Sequence, residues 1–169
     1  MPTLPTGTVT FLFTDIEGST KLWEQFPAAM KSALAKHDTI LAQAVEANGG
    51  RIVKTTGDGI HAVFETAVKG VAAALSAQQA FHANPWDEIK PQSIRVRMGL
   101  HTGEAEARAG DYYGIALNRA ARLMSLGSGG QILISNATAA LVRDGLPVHA
   151  TLRDLGELHL KDLARPEHV

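Results

Sequence analysis

Two aspartates stand where an apolar strand pattern gives way to glycine. Asp15 follows residues 8–13 (TVTFLF), a β-branched and aromatic run that reads as a buried strand. Asp58 lies in TTGDG at 55–59, between two short strands expected at 51–54 (RIVK) and 60–64 (IHAVF). Carboxylates at strand ends are hard oxygen ligands; magnesium commonly takes one or two of them and fills its other positions with water and phosphate. Gly18, Ser19 and Thr20 follow Asp15 and open a helical stretch, whose N-terminal amides and dipole favour phosphate. Asn118 and Arg122 sit four apart in NRAARLM and share a helix face, and a guanidinium matches phosphate geometry. Each signal alone has an ordinary explanation. Asp-Gly is turn chemistry, Asp15 before Gly-Ser-Thr fits a helix cap, and an arginine on a helix face is usually solvated.

The elements that must position these residues can be read from periodicity. After residues 8–13, Ser19 and Thr20 are N-cap candidates for a helix carrying Leu22, Trp23, Phe26, Met30, Leu34, Ile40, Leu41 and Val45. Pro27 predicts a break within it, and Asn48-Gly49-Gly50 its end. An alanine-rich helix is expected over 66–81, a strand over 94–100, a turn at His101-Thr102-Gly103 and a further strand over 104–108. A helix over 114–126, a strand over 132–135, a small helix over 136–143 and weak tail strands over 148–152 and 157–161 complete the pattern. The order β-α-β-β-α-β predicts an α+β fold, an α/β sandwich with a ferredoxin-like split βαβ core and extra C-terminal α/β elements. Its hairpin should lie beside the first strand, bringing Asp58 towards Asp15, with the two long helices over one face.

The 169 residues suit one domain, 1–169, large enough for a proper core. A net charge of -1 offers no basic footprint for nucleic acid. Without cysteine there is no disulfide, thiolate catalysis or cysteine-bound zinc, and the 7 histidines lack HExxH-type spacing. No P-loop or GxSxG occurs. The N-terminus is unlike a signal peptide and no apolar run reaches the length of a membrane span, so a cytoplasmic protein is expected. The chain ends soon after the last expected strand, as an isolated catalytic unit would.

From residue 8 to about 163 the sequence resembles the class III adenylyl and guanylyl cyclase catalytic domain, in wording closest to its bacterial branch. Four segments carry the resemblance in order: FTDIEGST at 13–20, KTTGDG at 54–59, MGLHTGE at 98–104 and DYYGIALNRAAR at 111–122. The resemblance implies that Asp15 and Asp58 bind two divalent ions, Mg²⁺ or Mn²⁺, with the Ile16 carbonyl reaching one of them. Gly18, Ser19 and Thr20 match the phosphate-holding loop. The family often has Phe where Ser19 stands, a departure of small consequence if backbone amides make the contacts. Lys54 and Asp111 match the pair that reads the purine, Asn118 the residue that orients the ribose, and Arg122 the one that stabilises the transferring phosphate. Lys161, in the short LKDL segment, matches a phosphate-binding lysine.

A lysine donor beside an aspartate acceptor complements adenine, which accepts at N1 and donates from N6. A guanylyl cyclase would carry Glu at position 54 and a small residue at 111, so ATP is the expected substrate and 3′,5′-cyclic AMP with pyrophosphate the expected products. The resemblance also implies a head-to-tail homodimer with two shared sites, because metal and purine residues belong to opposite halves of each site. A regulatory module outside these residues is common in the family. The competing readings are a guanylyl cyclase of the same fold and a catalytically silent nucleotide-binding or dimerisation module. A diguanylate cyclase would need GG[DE]EF at the Asp58 hairpin, which is missing.

Overall fold

The ten-residue strand β1 (Gly7–Ile16) is the spine of the molecule. It is longer than the TVTFLF run because its antiparallel ladder with β4 (Val96–Arg108) continues from Gly7 opposite Ala105 to Ile16 opposite Val96. Asp15 therefore lies within the last turn-free part of the strand, not after it. On its other edge β1 pairs antiparallel with β3 (Gly59–Phe64), which forms a hairpin with β2 (Arg51–Thr56). This computed structural model describes residues 4–158, 160 and 167–169.

The strand order is β2-β3-β1-β4-β5, where β5 is Asp111–Tyr113, and β6 (Ile132–Ile134) pairs parallel with β4. Alternation divides the β1 side chains between two layers. Leu12 and Ile16, with Leu100 and Val96 opposite them, face α2 (Ala29–Ala47) and α3 (Ala67–Ala83), where Met30, Leu41, Ala74 and Phe81 fill the larger core. Val9 and Phe11 face the other way, towards Tyr112 and the alanines of α4 (Ile115–Leu126). Fully burying a leucine or phenylalanine stabilises by roughly 1.5–3 kcal/mol, so both layers hold β1 in place. The architecture is the expected α+β sandwich with the hairpin beside β1.

Local expectations fare unevenly. The helix break at Pro27 is present, between α1 (Ser19–Gln25) and α2. Neither Ser19 nor Thr20 caps α1; the cap is Gly18, in the left-handed region at φ 66, with no side-chain hydrogen bond. Thr66 does cap α3, its hydroxyl accepting from the Lys69 amide at 3.3 Å. His101-Thr102-Gly103 is no turn: β4 runs straight through it, because β1 supplies ladder partners at Phe11, Thr10 and Val9. Gly103 serves close packing there, since a Cβ would stand 3.1 Å from that of Ala116. After α5 (Asn136–Val142), no strand forms over 148–152: Val148 and His149, the latter at φ 69, make a turn closed by the Ala150 amide donating to the Pro147 carbonyl. Among the described residues of the tail, β7 (Glu157–Leu158) pairs with β8 (Glu167–His168). Lys161 lies outside the described residues.

Candidate active site

The first cluster forms where β1 ends. Thr14 is buried and its hydroxyl accepts from the Ile60 amide at 3.1 Å, stitching the start of β3 to β1. Gly59 lies so close that a Cβ would meet the Thr14 carbonyl oxygen at 1.8 Å, which only glycine avoids. The turn at Gly57 and Asp58 is thereby pressed against the strand end that carries Asp15. Asp15, Glu17 and Asp58 all place negative charge around one guanidinium, that of Arg97. Arg97 stands opposite Asp15 in the ladder, and its Nε donates to Asp15 Oδ1 at 2.6 Å. Ile16 turns a buried side chain into the core, so only its backbone is available to a ligand. Gly18 then starts α1 without a side-chain cap.

The donors fit a divalent ion. Two carboxylates converge on a position that already attracts positive charge, and they offer hard oxygens. Among the described residues no group of three or more His, Cys, Asp or Glu side chains is arranged to hold a metal ion, so an ion here would rest on one or two carboxylates with water or phosphate completing its shell.

The second cluster joins strands from opposite ends of the sheet order. β4 projects beyond its pairing with β1, turns through Ala109 (φ 50) and Gly110 (φ 80), and returns as β5. Two successive positive φ values are those of a type I′ hairpin, whose twist suits the strands. Tyr112 fixes the returning arm over the sheet: its ring meets Phe11 edge-on at 5.1 Å and its hydroxyl donates to the Pro5 carbonyl at 2.5 Å. A bulge between Ile52 and Lys54 in β2 puts Lys54 opposite His61. Lys54 Nζ consequently donates to Asp111 Oδ2 at 2.6 Å, while Asp111 Oδ1 accepts from the Tyr112 amide at 2.8 Å. The Lys54 bond, then the amide, hold the Asp111 carboxyl below its ordinary range.

Asn118 and Arg122 lie on α4. The helix buries Ala116, Ala120 and Leu123 and crosses Gly99, where a Cβ would stand 2.5 Å from the Met124 amide nitrogen. Helical geometry turns positions 118 and 122 away from that buried stripe, onto one shared face, with Asn118 exposed and Arg122 half-buried. The structure thus gathers Asp15 with Asp58 and Lys54 with Asp111, and sets Asn118 and Arg122 together on a third element.

Arg97 escaped the sequence reading. Alternation in IRVRMGL marks it as a side chain on one face of a strand, but its partner depends on the β1–β4 register. Beneath the site lie histidines kept neutral by burial. Burial pushes His61 down to about 4, where it packs between Phe11 and Phe13, and His101 likewise to about 4, with its Nδ1 2.6 Å from Ser135 Oγ. Both would take protons near 6.5 in the unfolded chain. Stability should therefore be intact above pH 6.5 and fall as pH drops towards 4, because the unfolded state gains protons that the fold refuses. The melting temperature should be lower at pH 5 than at pH 7, and His61→Met should lessen the difference. A melting temperature unchanged between these pH values would contradict neutral burial.

Comparison with known proteins bears on the family and the fold. The family model for the adenylate and guanylate cyclase catalytic domain matches residues 1–168. An uncharacterized protein of Mycobacterium tuberculosis is 42% identical over 167 residues, covering 98% of this chain and 55% of its own length. An adenylate cyclase of Schizosaccharomyces pombe is 33% identical, covering 98% of this chain but 11% of its own. The chain thus spans about half, or much less, of these curated relatives. Among solved structures, the adenylyl cyclase CyaB from P. aeruginosa superposes with a TM-score of 0.83 at 27% identity, covering 96% of this chain and 91% of that one. Trypanosoma brucei adenylate cyclase in its monomeric state gives 0.87 at 27%, covering 99% and 88%. With the fold, the motif order and the family match in agreement, the chain belongs to the adenylate and guanylate cyclase catalytic domain family.

Proposed function

We propose that this chain acts as one adenylyl cyclase domain, converting ATP to 3′,5′-cyclic AMP and pyrophosphate at a site shared by two copies. The observation that carries the choice of ATP is the Lys54–Asp111 pair, an ammonium and a carboxylate 2.6 Å apart and partly open to solvent. Adenine presents an acceptor at N1 beside a donor at N6, so the ammonium can donate to one and the carboxylate accept from the other. Guanine reverses that pattern at its O6 and N1 and would face mismatched polar groups.

Asp15 and Asp58 are the ion-holding carboxylates in this reading, with the Ile16 carbonyl beside them. Two Mg²⁺ or Mn²⁺ ions would neutralise phosphate charge and lower the pKa of the ribose 3′-hydroxyl. Gly18, Ser19 and Thr20 offer uncapped amides to phosphate oxygens, and Lys161 is assigned to the same phosphates by its family position alone. Asn118 orients the ribose, and the Arg122 guanidinium faces the negative charge on the oxygens of the α-phosphate during in-line attack by the 3′-oxygen. These groups act by positioning and charge, the main resources in phosphoryl transfer.

Sharing between copies is supported by where the groups sit. Tyr113 and Ile115, at the junction of the arm and α4, are apolar yet 54% and 58% exposed, beside the α4 face that carries Asn118 and Arg122. A second copy docked there would bring its own Asp15 and Asp58 to that face. Among the described residues no helix is long and apolar enough to cross a membrane, in keeping with a cytoplasmic placement.

The test is turnover of ATP and GTP with Mg²⁺ or Mn²⁺, with the cyclic product identified by mass. Wild-type protein should form cyclic AMP. Lys54→Glu with Asp111→Gly should lower kcat/KM for ATP on the order of 10²-fold, because a site that hydrogen-bonds one polar edge strongly rejects a mismatched pattern once the bound base covers it. A wild-type preference for GTP would replace this reading with a guanylyl cyclase. ATP use unaltered by the double substitution would mean that the purine is read elsewhere.

A further inference from the structure

Arg97 grips Asp15 with a fork. Its Nε donates to Oδ1 at 2.6 Å and its Nη2 to Oδ2, so both carboxylate oxygens are engaged. Its Nη1 donates to the Ser125 carbonyl at 3.3 Å, which fixes the guanidinium against the C-terminal end of α4. The ladder between β1 and β4 sets the two residues directly opposite each other, so register delivers the fork. The side chains are 27% and 20% exposed, a setting in which a two-point charged contact holds better than on open surface. The surrounding charge of Glu17 and Asp58 also favours a cation at this point.

The fork takes one lone pair on each Asp15 oxygen and sets a cationic guanidinium where a divalent ion would have to approach the same carboxylate. We propose that Arg97 is a positioning residue that serves Asp15 as a built-in counter-cation, and that ion loading requires Arg97 to release at least one Asp15 oxygen. The proposal rests on the metal reading of Asp15 and Asp58. Arg97 keeps three carboxylates compatible with one another before an ion arrives, and by competing for Asp15 it lowers the intrinsic ion affinity. Loading is then an exchange of one cation for another on the same carboxylate. The Ser125 contact gives the released guanidinium a place to remain.

The experiment is Mn²⁺ titration of the nucleotide-free full chain, read by the electron paramagnetic resonance of free Mn²⁺. It compares wild type, Arg97→Gln and Arg97→Lys, each with and without Asp15→Asn. Arg97→Gln should tighten the Asp15-dependent binding by about tenfold, which corresponds to 1.4 kcal/mol. Arg97→Lys should fall between, since an ammonium keeps the charge but cannot make the planar fork. Affinity in Arg97→Gln that is unchanged or weaker than wild type would overturn the competition. Arg97→Lys behaving as wild type beside a tightened Arg97→Gln would assign the effect to charge alone and overturn the fork. If Arg97→Gln does not fold, the lysine variant decides: tighter binding supports the fork and equal binding rejects it. Wild-type Mn²⁺ binding indifferent to Asp15→Asn would reject the metal reading itself, and the exchange with it.

Discussion

Asp15→Ala or Asp58→Ala should each lower cyclic AMP formation by on the order of 10³-fold or more, while the protein stays folded. The magnitude follows from losing charge stabilisation worth several kcal/mol at the transferring phosphate. The fold should tolerate both changes. Asp15 is half-buried at a strand end, and its backbone ladder with β4 survives the substitution. Asp58 occupies a turn whose geometry is set by Gly57, at φ 47, and by the glycine at 59 that lies against Thr14. Asp15→Ala also leaves the Arg97 guanidinium without its carboxylate, so a modest fall in melting temperature should accompany that variant alone. The check is turnover at saturating Mg²⁺ or Mn²⁺ beside circular dichroism and melting curves. Near-normal turnover by either folded variant would remove these aspartates from the reaction.

The second large effect is a recovery. Arg122→Ala should cut kcat by about 10²-fold or more with a smaller change in KM, as expected for a group that meets charge mainly in the transition state. Mixing folded Arg122→Ala with folded Asp58→Ala, each nearly inactive alone, should restore activity once subunits exchange. In a head-to-tail pair one site then lacks both residues and the other lacks neither, so recovery should approach one intact site per mixed dimer. A site built within a single chain would stay broken in both partners. Mixed dimers verified by differential tags, yet without recovery, would reject the shared site.

Much of this arrangement is legible in the sequence, and the reason differs by element. TVTFLF, the long amphipathic helices and the Asp-Gly hairpin are local patterns whose period and turn chemistry survive tertiary contacts, so the neighbourhood of Asp15 and Asp58 could be expected before the fold was known. The HTG segment misled because glycine beside threonine is a turn signal, whereas here the ladder with β1 and the approach of Ala116 require an extended glycine. β5 was missed because three residues show no periodicity. Ser19 and Thr20 are good caps by type, yet Gly18 can adopt the left-handed backbone at the helix start and takes that place. The Asp15–Arg97 contact spans 82 positions and depends on a one-residue register, which no local pattern encodes.

The bridge from Lys54 to Asp111 ties together strands that are not neighbours in the sheet, and so it bears on shape as well as on the recognition proposed for it. Its lysine is 49% exposed and its aspartate 27%, a setting in which an ion pair contributes at most about 1 kcal/mol to stability. Such a latch is easy to open: an incoming base can exchange it for its own hydrogen bonds without unravelling the arm, which Tyr112 keeps pinned through Phe11 and Pro5. If the pair reads the purine as proposed, base choice and arm mobility would be two readouts of one contact. A change of these residues towards a different purine would also remove this polar tie between β2 and β5, loosening the hairpin tip about its tyrosine pivot. Under that reading, selectivity would be inherited together with the stiffness of a lever.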